Sequence, residues 1–516
     1  MAWRDWDRFA ELLVTTLLLM AGTLIVTVPS GTLAAFLLYR TDLPFRRFFR
    51  FILLLTLFIP LPLFTTAWQA ALGSGGWLPL GVWNQSSFWK PWPTGLGPAI
   101  WVHAMAAFPW VILIMGQGFL WVERELEEDA LTIVGPFRVF LHVTLHRSWG
   151  ALGAAALWVV MPIATEITVT DVMQVRTFAE EIYTQLVLGE HLGLHRALAV
   201  SCVPLIIMGT ILFMVIRGLE RRIPSLESYS MVPFLFRLRG LRWPLFFLTL
   251  TAMTVMASIP VASLVWKAGL EGGPPVWTGA TVTKTIGLVL ERNTRLVINS
   301  VQVALTNGFM VALFSLVICW LALDSRRFLI GILGILTLAW VLPGPLVGFG
   351  LKETISHIVE LNPEGLAARL LYYGPSPVPV WWANFIRFLP FGMALLWPMV
   401  RMIPREIRES AQLEGARPGR MLVSIFLPLA VAPYLRTILA VAVLSLGELG
   451  AGKIVQTPDY QIFAHVVFEQ MHYGVHRDLA GLCLVLLGLV ALGGGLMAIP
   501  HWFLKRSNEG KIIQSP

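Results

Sequence analysis

Two glutamates stand where a carboxylate is costly. Glu166 and Glu448 each close a long apolar run, and they lie 282 residues apart. A carboxylate at the end of a membrane-crossing helix is expensive unless it meets water, a cation or a polar cavity, which makes such residues candidates for the lining of a solute path. The competing reading puts both just beyond the hydrocarbon, facing water and capping nothing. As a pair they favour a positively charged solute over an oxyanion. Gly447-Glu-Leu-Gly-Ala-Gly452-Lys453 spells the first seven positions of a phosphate-binding P-loop, yet Ile454 stands where Ser or Thr would hold Mg²⁺. An apolar run precedes it, where a P-loop follows a strand. The chain is expected to hydrolyse no ATP of its own, and to carry no catalytic residue, cofactor or resident metal. His465, His472 and His476, with His191 and His195, follow the two glutamates. A transient metal relay among them is weighed against the commoner interfacial role, and the interfacial role is preferred. His142 and His146 sit four apart without the Glu of a zinc-protease motif and are also read as interfacial.

The elements that position these residues are membrane spans. The 516 residues are 56% hydrophobic and 13% charged, against about 45–50% and about 25% in soluble domains. The surplus gathers into runs such as Phe51–Leu72 and Met310–Leu323. Roughly 20 apolar residues cross a bilayer as a helix because every backbone N–H and C=O is then bonded internally. Eleven spans are predicted, at 9–39, 48–72, 97–121, 149–170, 197–217, 243–267, 294–323, 327–350, 381–401, 428–448 and 478–503. The first run is too long for a cleaved signal peptide. The formal charge of +8 is dispersed between spans, which argues against a nucleic-acid partner. Six Lys/Arg clusters fall on one side of the membrane: 40–50, 124–147, 217–242, 326–327, 401–420 and 505–511. By the positive-inside rule that side is cytoplasmic, with the N-terminus outside and the C-terminus inside. Tryptophans near span ends (Trp3, Trp6, Trp89, Trp92, Trp381, Trp382, Trp502) read as an interfacial belt. Cys202, Cys319 and Cys483 all lie in apolar runs and suggest neither a disulfide frame nor a metal cluster.

The chain also repeats itself. Arg46-Arg47 corresponds to Arg326-Arg327, and Pro60-Leu-Pro62 to Pro343-Gly-Pro345. Val143-Thr-Leu145 matches Ile425-Phe-Leu427 at the same offset that relates Glu166 to Glu448. Phe178-Ala179, Gln185 and Gly189 recur as Phe463-Ala464, Gln470 and Gly474. An ordered series with so little drift predicts two halves, 1–220 and 285–516, joined by 221–284, a basic cytoplasmic linker with one additional span. Each half then has five core spans, and the additional span lets both point the same way as parallel repeats. The expected fold is an all-α polytopic membrane protein.

The loop after the ninth span carries the most specific pattern. It reads Glu409-Ser410-Ala411, then Gly415, then Ile425-Phe426-Leu427-Pro428. Small residues at 410 and 411 leave one helical face bare for close approach, Gly415 permits a turn, and Pro428 suits the first turn of the next span. This loop resembles the signature of type I ABC importer permeases, E-A-A, three residues, G, nine residues, I-x-L-P; only Ser410 departs from it. In the first half the register set by Val143 and Leu145 puts Glu127 in the place of Glu409. There Glu128 and Asp129 replace the small pair, Ile133 replaces Gly415, and His146 replaces Pro428. With two such halves the chain is most similar in layout to the ferric-iron and thiamine importer permeases.

The resemblance implies a bacterial inner-membrane protein that contacts two cytoplasmic ATP-binding cassette subunits and receives cargo from an extracytoplasmic binding protein. Residues 409–428 would be the stronger ATPase contact and 127–146 a second one. Ferric iron is the first choice of cargo and thiamine the second, followed by an oxyanion or a polyamine. A carrier driven by an ion gradient is the alternative class. It would rely on intramembrane acid–base relays, for which only Glu166 and Glu448 offer themselves, and it would not need residues 409–428. A membrane enzyme would need a polar constellation converging from several spans.

Overall fold

Proline marks two of the three sharp bends in the apolar helices. The computed structural model describes residues 6–73, 77, 94–188, 193–220, 234–272, 275–403 and 405–512. In chain order its main helices are α1 (Trp6–Arg40), α2 (Arg46–Leu57), α3 (Leu61–Leu72), α4 (Leu96–Leu120), α5 (Arg124–Ile133) and α6 (Trp149–Thr165). There follow α7 (Phe178–Leu188), α8 (Gly193–Glu220), α9 (Arg239–Ala268), α10 (Gly279–Arg292), α11 (Thr294–Leu323) and α12 (Arg326–Val341). The series ends with α13 (Gly344–Leu361), α14 (Val378–Arg401), α15 (Arg405–Leu413), α16 (Leu427–Ser445), α17 (Phe463–Met471) and α18 (Arg477–Ile512). A two-stranded hairpin, Leu270–Glu271 with Val276–Trp277, is the only sheet among the described residues.

The protein is therefore all-α and polytopic. Among the described residues seven helices are long and apolar enough to span, and ten if each sharply bent pair counts as one. The fifth expected span, 197–217, falls within α8, whose described apolar part is Leu205–Gly218. Two of the expected spans, 48–72 and 327–350, are not straight rods, and a third bend lies just before 149–170. α2 and α3 meet at 104°, α12 and α13 at 104°, and Pro136–Arg147 meets α6 at 69°. At the first two breaks a proline sits in extended backbone, Pro60 (φ −63°, ψ 147°) and Pro343 (φ −58°, ψ 143°). A residue before proline is pushed out of the α region, which ends the incoming helix. The second proline of each pair, Pro62 and Pro345, then occupies the first turn of the outgoing helix, where a missing N–H goes unnoticed.

Small residues let the straight helices approach closely, as membrane interiors require. α1 and α4 run parallel, with Gly22 against Ile100, Gly31 against Val111 and Gly116 against Tyr39. α11 crosses α16 where Gly308 meets the Ile438 carbonyl, and Asn307 Nδ2 donates to Ser445 Oγ at 2.7 Å. The bent pairs reach across the molecule in opposite directions. α2 and α3 pack on α9, α17 and α18, while α12 and α13 pack on α6, α7 and α8. Phe236 is pinned to the end of α1, its N–H donating to the Arg40 carbonyl at 2.8 Å. Of the expected linker, residues 221–233 lie outside the described residues.

Candidate functional site

One cavity of about 270 Å³ opens where the two bends meet the ends of α6 and α16. Helical periodicity explains its walls. His103, Ala106, Ala107 and Trp110 form one stripe of α4, and Trp158, Met161, Pro162 and Thr165 one stripe of α6; both follow the i, i+3, i+4, i+7 spacing of a single helix face. α14 contributes Arg387, Phe388 and Phe391, and the break before α13 contributes Gly344. Glu166 and Glu448 both line this cavity.

Each glutamate owes its position to the way its helix ends. Glu166 follows α6 in extended backbone. Its Oε1 accepts from the Thr168 amide at 2.5 Å and its Oε2 from the Val169 amide at 3.2 Å. Glu448 accepts from the Ala451 and Gly452 amides, both at 2.9 Å. Each carboxylate thus caps the short helix that follows it, Thr168–Val172 or Gly452–Val455, satisfying amide donors that would otherwise be orphaned. The competing reading, in which the two side chains cap nothing, does not hold. The capping also takes the Gly452 amide out of any phosphate cradle, and Lys453 pairs with Glu469. Close backbone seams frame the site. Gly447 sits on Pro60, and a Cβ on Gly344 would lie 2.9 Å from the Gly450 Cα.

Arg387 supplies the third charge, feels both carboxylates, and donates from Nη1 to the Leu342 carbonyl at 2.7 Å. His103 is 3% exposed, and its Nε2 has no hydrogen-bond partner. Aromatic rings close one end of the cavity. Trp110 and Trp158 lie 4.5 Å apart between ring centroids, Trp158 and Trp340 5.5 Å, and Phe391 stands 5.8 and 5.7 Å from Trp110 and Trp158. Sequence reading missed Arg387, His103 and these rings as site residues. The signal available was a mid-span Arg and a mid-span His, both costly in hydrocarbon without a use.

The histidines after the glutamates are engaged in other ways. His472 Nε2 lies 3.0 Å from Asp171 Oδ2, joining the segments that follow α16 and α6. His465 is 1% exposed, and its Nδ1 lies 2.8 Å from Gln456 Oε1. Burial, with Lys453 adding to it, holds the His465 imidazole down to about 3. His191 and the side chain of His195 lie outside the described residues. Among the described residues no group of three or more His, Cys, Asp or Glu could hold a metal ion.

The loop 401–428 forms α15, a turn, Pro418–Met421 and a π-helical turn at Leu422–Phe426. Glu409 and Ser410 are exposed, and Ala411 is buried. Gly415 adopts φ +77°, the left-handed geometry that ends helices and favours glycine. The Ala416 amide then bonds back to the Ala411 carbonyl at 2.9 Å. Leu413 is 89% exposed. Ile425 and Leu427 pack half-buried beside the buried Phe426, and Pro428 stands in the first turn of α16.

The loop 127–146 differs in the way it is held. A second π-helical turn, Phe140–Thr144, contains Val143, and Leu145 follows it; both residues are half-buried. Glu127, matched by sequence register to the exposed Glu409, is fully buried and pairs with the equally buried Arg40 at the end of α1. Thr144 Oγ1 donates to Glu127 Oε1 at 2.6 Å, and Arg40 Nη1 donates to the Phe119 carbonyl at 2.8 Å. On α15 the residue that reaches back to the bundle is Arg408, 2.9 Å from Asp324 just past the end of α11. By the place of its partner, at the end of a spanning helix, Glu127 corresponds to Arg408. The two tethers have opposite polarity: a cation on the span and an anion on the loop at Arg40–Glu127, the reverse at Asp324–Arg408.

No family model and no curated protein matches the chain.

Proposed function

We propose that this chain is the permease subunit of an ABC importer: two fused halves, 1–220 and 285–516, joined by the 221–284 linker and lying in the bacterial inner membrane. The path between the halves is driven by two separate ATP-binding cassette subunits and fed by an extracytoplasmic binding protein. The observation that carries the reading is the 409–428 segment, in which Glu409, Ser410 and Leu413 face solvent. It combines the Glu409-Ser410-Ala411, Gly415 and Ile425-Phe426-Leu427-Pro428 spacing with an exposed leucine, Leu413, on a solvent-facing helix tied to the bundle. A large apolar side chain left in water beside the small, exposed Ser410 suits a protein groove. The chain itself does no chemistry on this reading; it couples ATPase motion to the cavity that holds Glu166 and Glu448. Ferric iron is the cargo the sequence resemblance ranks first.

The test is co-purification of the cognate ATPase with the full chain. Gly415→Arg should reduce capture at least tenfold while membrane insertion is unchanged. Disrupting the 127–146 loop surface at Glu128 and Asp129 should reduce it less. Equal capture by wild type and Gly415→Arg refutes the assignment.

A further inference from the structure

The cavity's lining speaks to the class of solute it holds; this inference rests on the permease reading only in calling that solute a cargo. We propose that the cavity is a binding site for a small, flat organic monocation that carries a hydrogen-bonding group.

Three observations converge. The first is His103. A buried imidazole nitrogen without a partner forfeits a hydrogen bond and is rare in folded proteins. His103 Nε2 is such an atom, on a residue 3% exposed that lines the cavity wall. A ligand's polar group would supply the missing partner once the ring turns toward the cavity that His103 lines. The second is the aromatic end. Trp110 lies seven residues after His103 on the same stripe of α4, with Trp158 4.5 Å away. Tryptophan faces attract a cation within about 6 Å of the ring centre, most strongly where water is excluded. The third is charge. Two carboxyl groups and one guanidinium line the cavity, an excess of one acidic group that suits a monocation over an anion. Each carboxylate accepts two backbone amides, and with about four lone-pair sites each retains capacity for a ligand.

The same lining disfavours a bare ferric ion. Hard trivalent or divalent ions need several oxygen donors around them. The described residues offer no group of three metal ligands here, and the 270 Å³ is walled largely by rings and aliphatic carbons. A cavity close to the lower end of ordinary ligand pockets, which start at about 300 Å³, suits a single-ring organic molecule.

The experiment uses the purified full chain in lipid nanodiscs and equilibrium dialysis of three radiolabelled probes: 1-methylnicotinamide, a flat cation with an amide; nicotinamide, its neutral counterpart; and benzoate, a flat anion. The cation should bind saturably, about tenfold or more tighter than nicotinamide, and benzoate should not saturate. His103→Phe, which keeps the ring volume without the nitrogen, should weaken the cation about tenfold. Glu166→Gln/Glu448→Gln should erase the preference for cation over neutral probe. Benzoate binding as tightly as the cation would mark an anion site at Arg387 and overturn the proposal. Equal binding of the charged and neutral probes, competition by ferric citrate, or no saturable binding at all would also overturn it. The wild-type ranking stands as a test even if a variant fails to fold. Failure of the ranking with ATPase capture intact removes this site alone. Failure of capture with the ranking intact removes the permease reading alone.

Discussion

Breaking the Arg40–Glu127 pair should cost more than any other single change in the first-half loop. Both side chains are fully buried, so neither charge can recover solvation where it stands. Glu127→Gln keeps the shape and can still accept from Thr144, but leaves the guanidinium with only the Phe119 carbonyl as a partner. Removing one member of a buried pair typically costs about 3–5 kcal/mol, because the other charge is left uncompensated. At about 1.4 kcal/mol per tenfold, 3 kcal/mol is a drop of roughly 150-fold in the folded-to-unfolded ratio. Arg40→Met should cost a similar amount, leaving Glu127 supported by Thr144 alone. The double variant Arg40→Met/Glu127→Leu should recover most of the loss, since apolar replacement of a buried pair is often neutral or stabilising. The assay is reversible unfolding by sodium dodecyl sulfate in mixed micelles, followed by tryptophan fluorescence, with the full double-mutant cycle. Additive single effects, each under about 1 kcal/mol, would refute the reasoning. The opposite-polarity pair supplies an internal control. Asp324 is 73% exposed, so Asp324→Asn should cost no more than about 1 kcal/mol, as exposed pairs do.

Three further outcomes are expected. Gly415→Ala forces a side chain into φ +77° and should lower stability by about 1 kcal/mol, measured by the same unfolding assay; an unchanged midpoint would show that the turn relaxes. Buried His465 is held to about 3 against an ordinary 6.5, so between those values the unfolded chain binds more protons and stability falls as the pH drops; His465→Asn should flatten that slope in unfolding scans from pH 7 to 4, and an identical slope would refute the assignment. Cysteine at Val276, in the hairpin after α9, should react in intact cells with a membrane-impermeant thiol reagent, whereas cysteine at Gly240, in the first turn of α9, should not; labelling at Gly240 would invert the orientation read from the basic clusters.

The sequence by itself determined whatever obeys a local rule. Hydropathy over some 20 residues marks a spanning helix because an unpaired backbone cannot cross lipid, and the all-α polytopic class follows. Gly415 and Pro428 were legible for the same kind of reason: a left-handed residue after a helix and a missing N–H in a first turn are requirements of one or two residues. Glu166 and Glu448 could be singled out as costly, span-ending acids, and the proline pairs at 60–62 and 343–345 as related features. Tertiary structure alone decided that those prolines turn their helices by 104° and that both glutamates meet one cavity with Arg387 and His103. It also decided that Glu127 is buried by Arg40, 87 positions away in the chain. A carboxylate's neighbours are set by how helices from distant segments pack, and a sequence states what each group costs to bury without stating which group it is buried against.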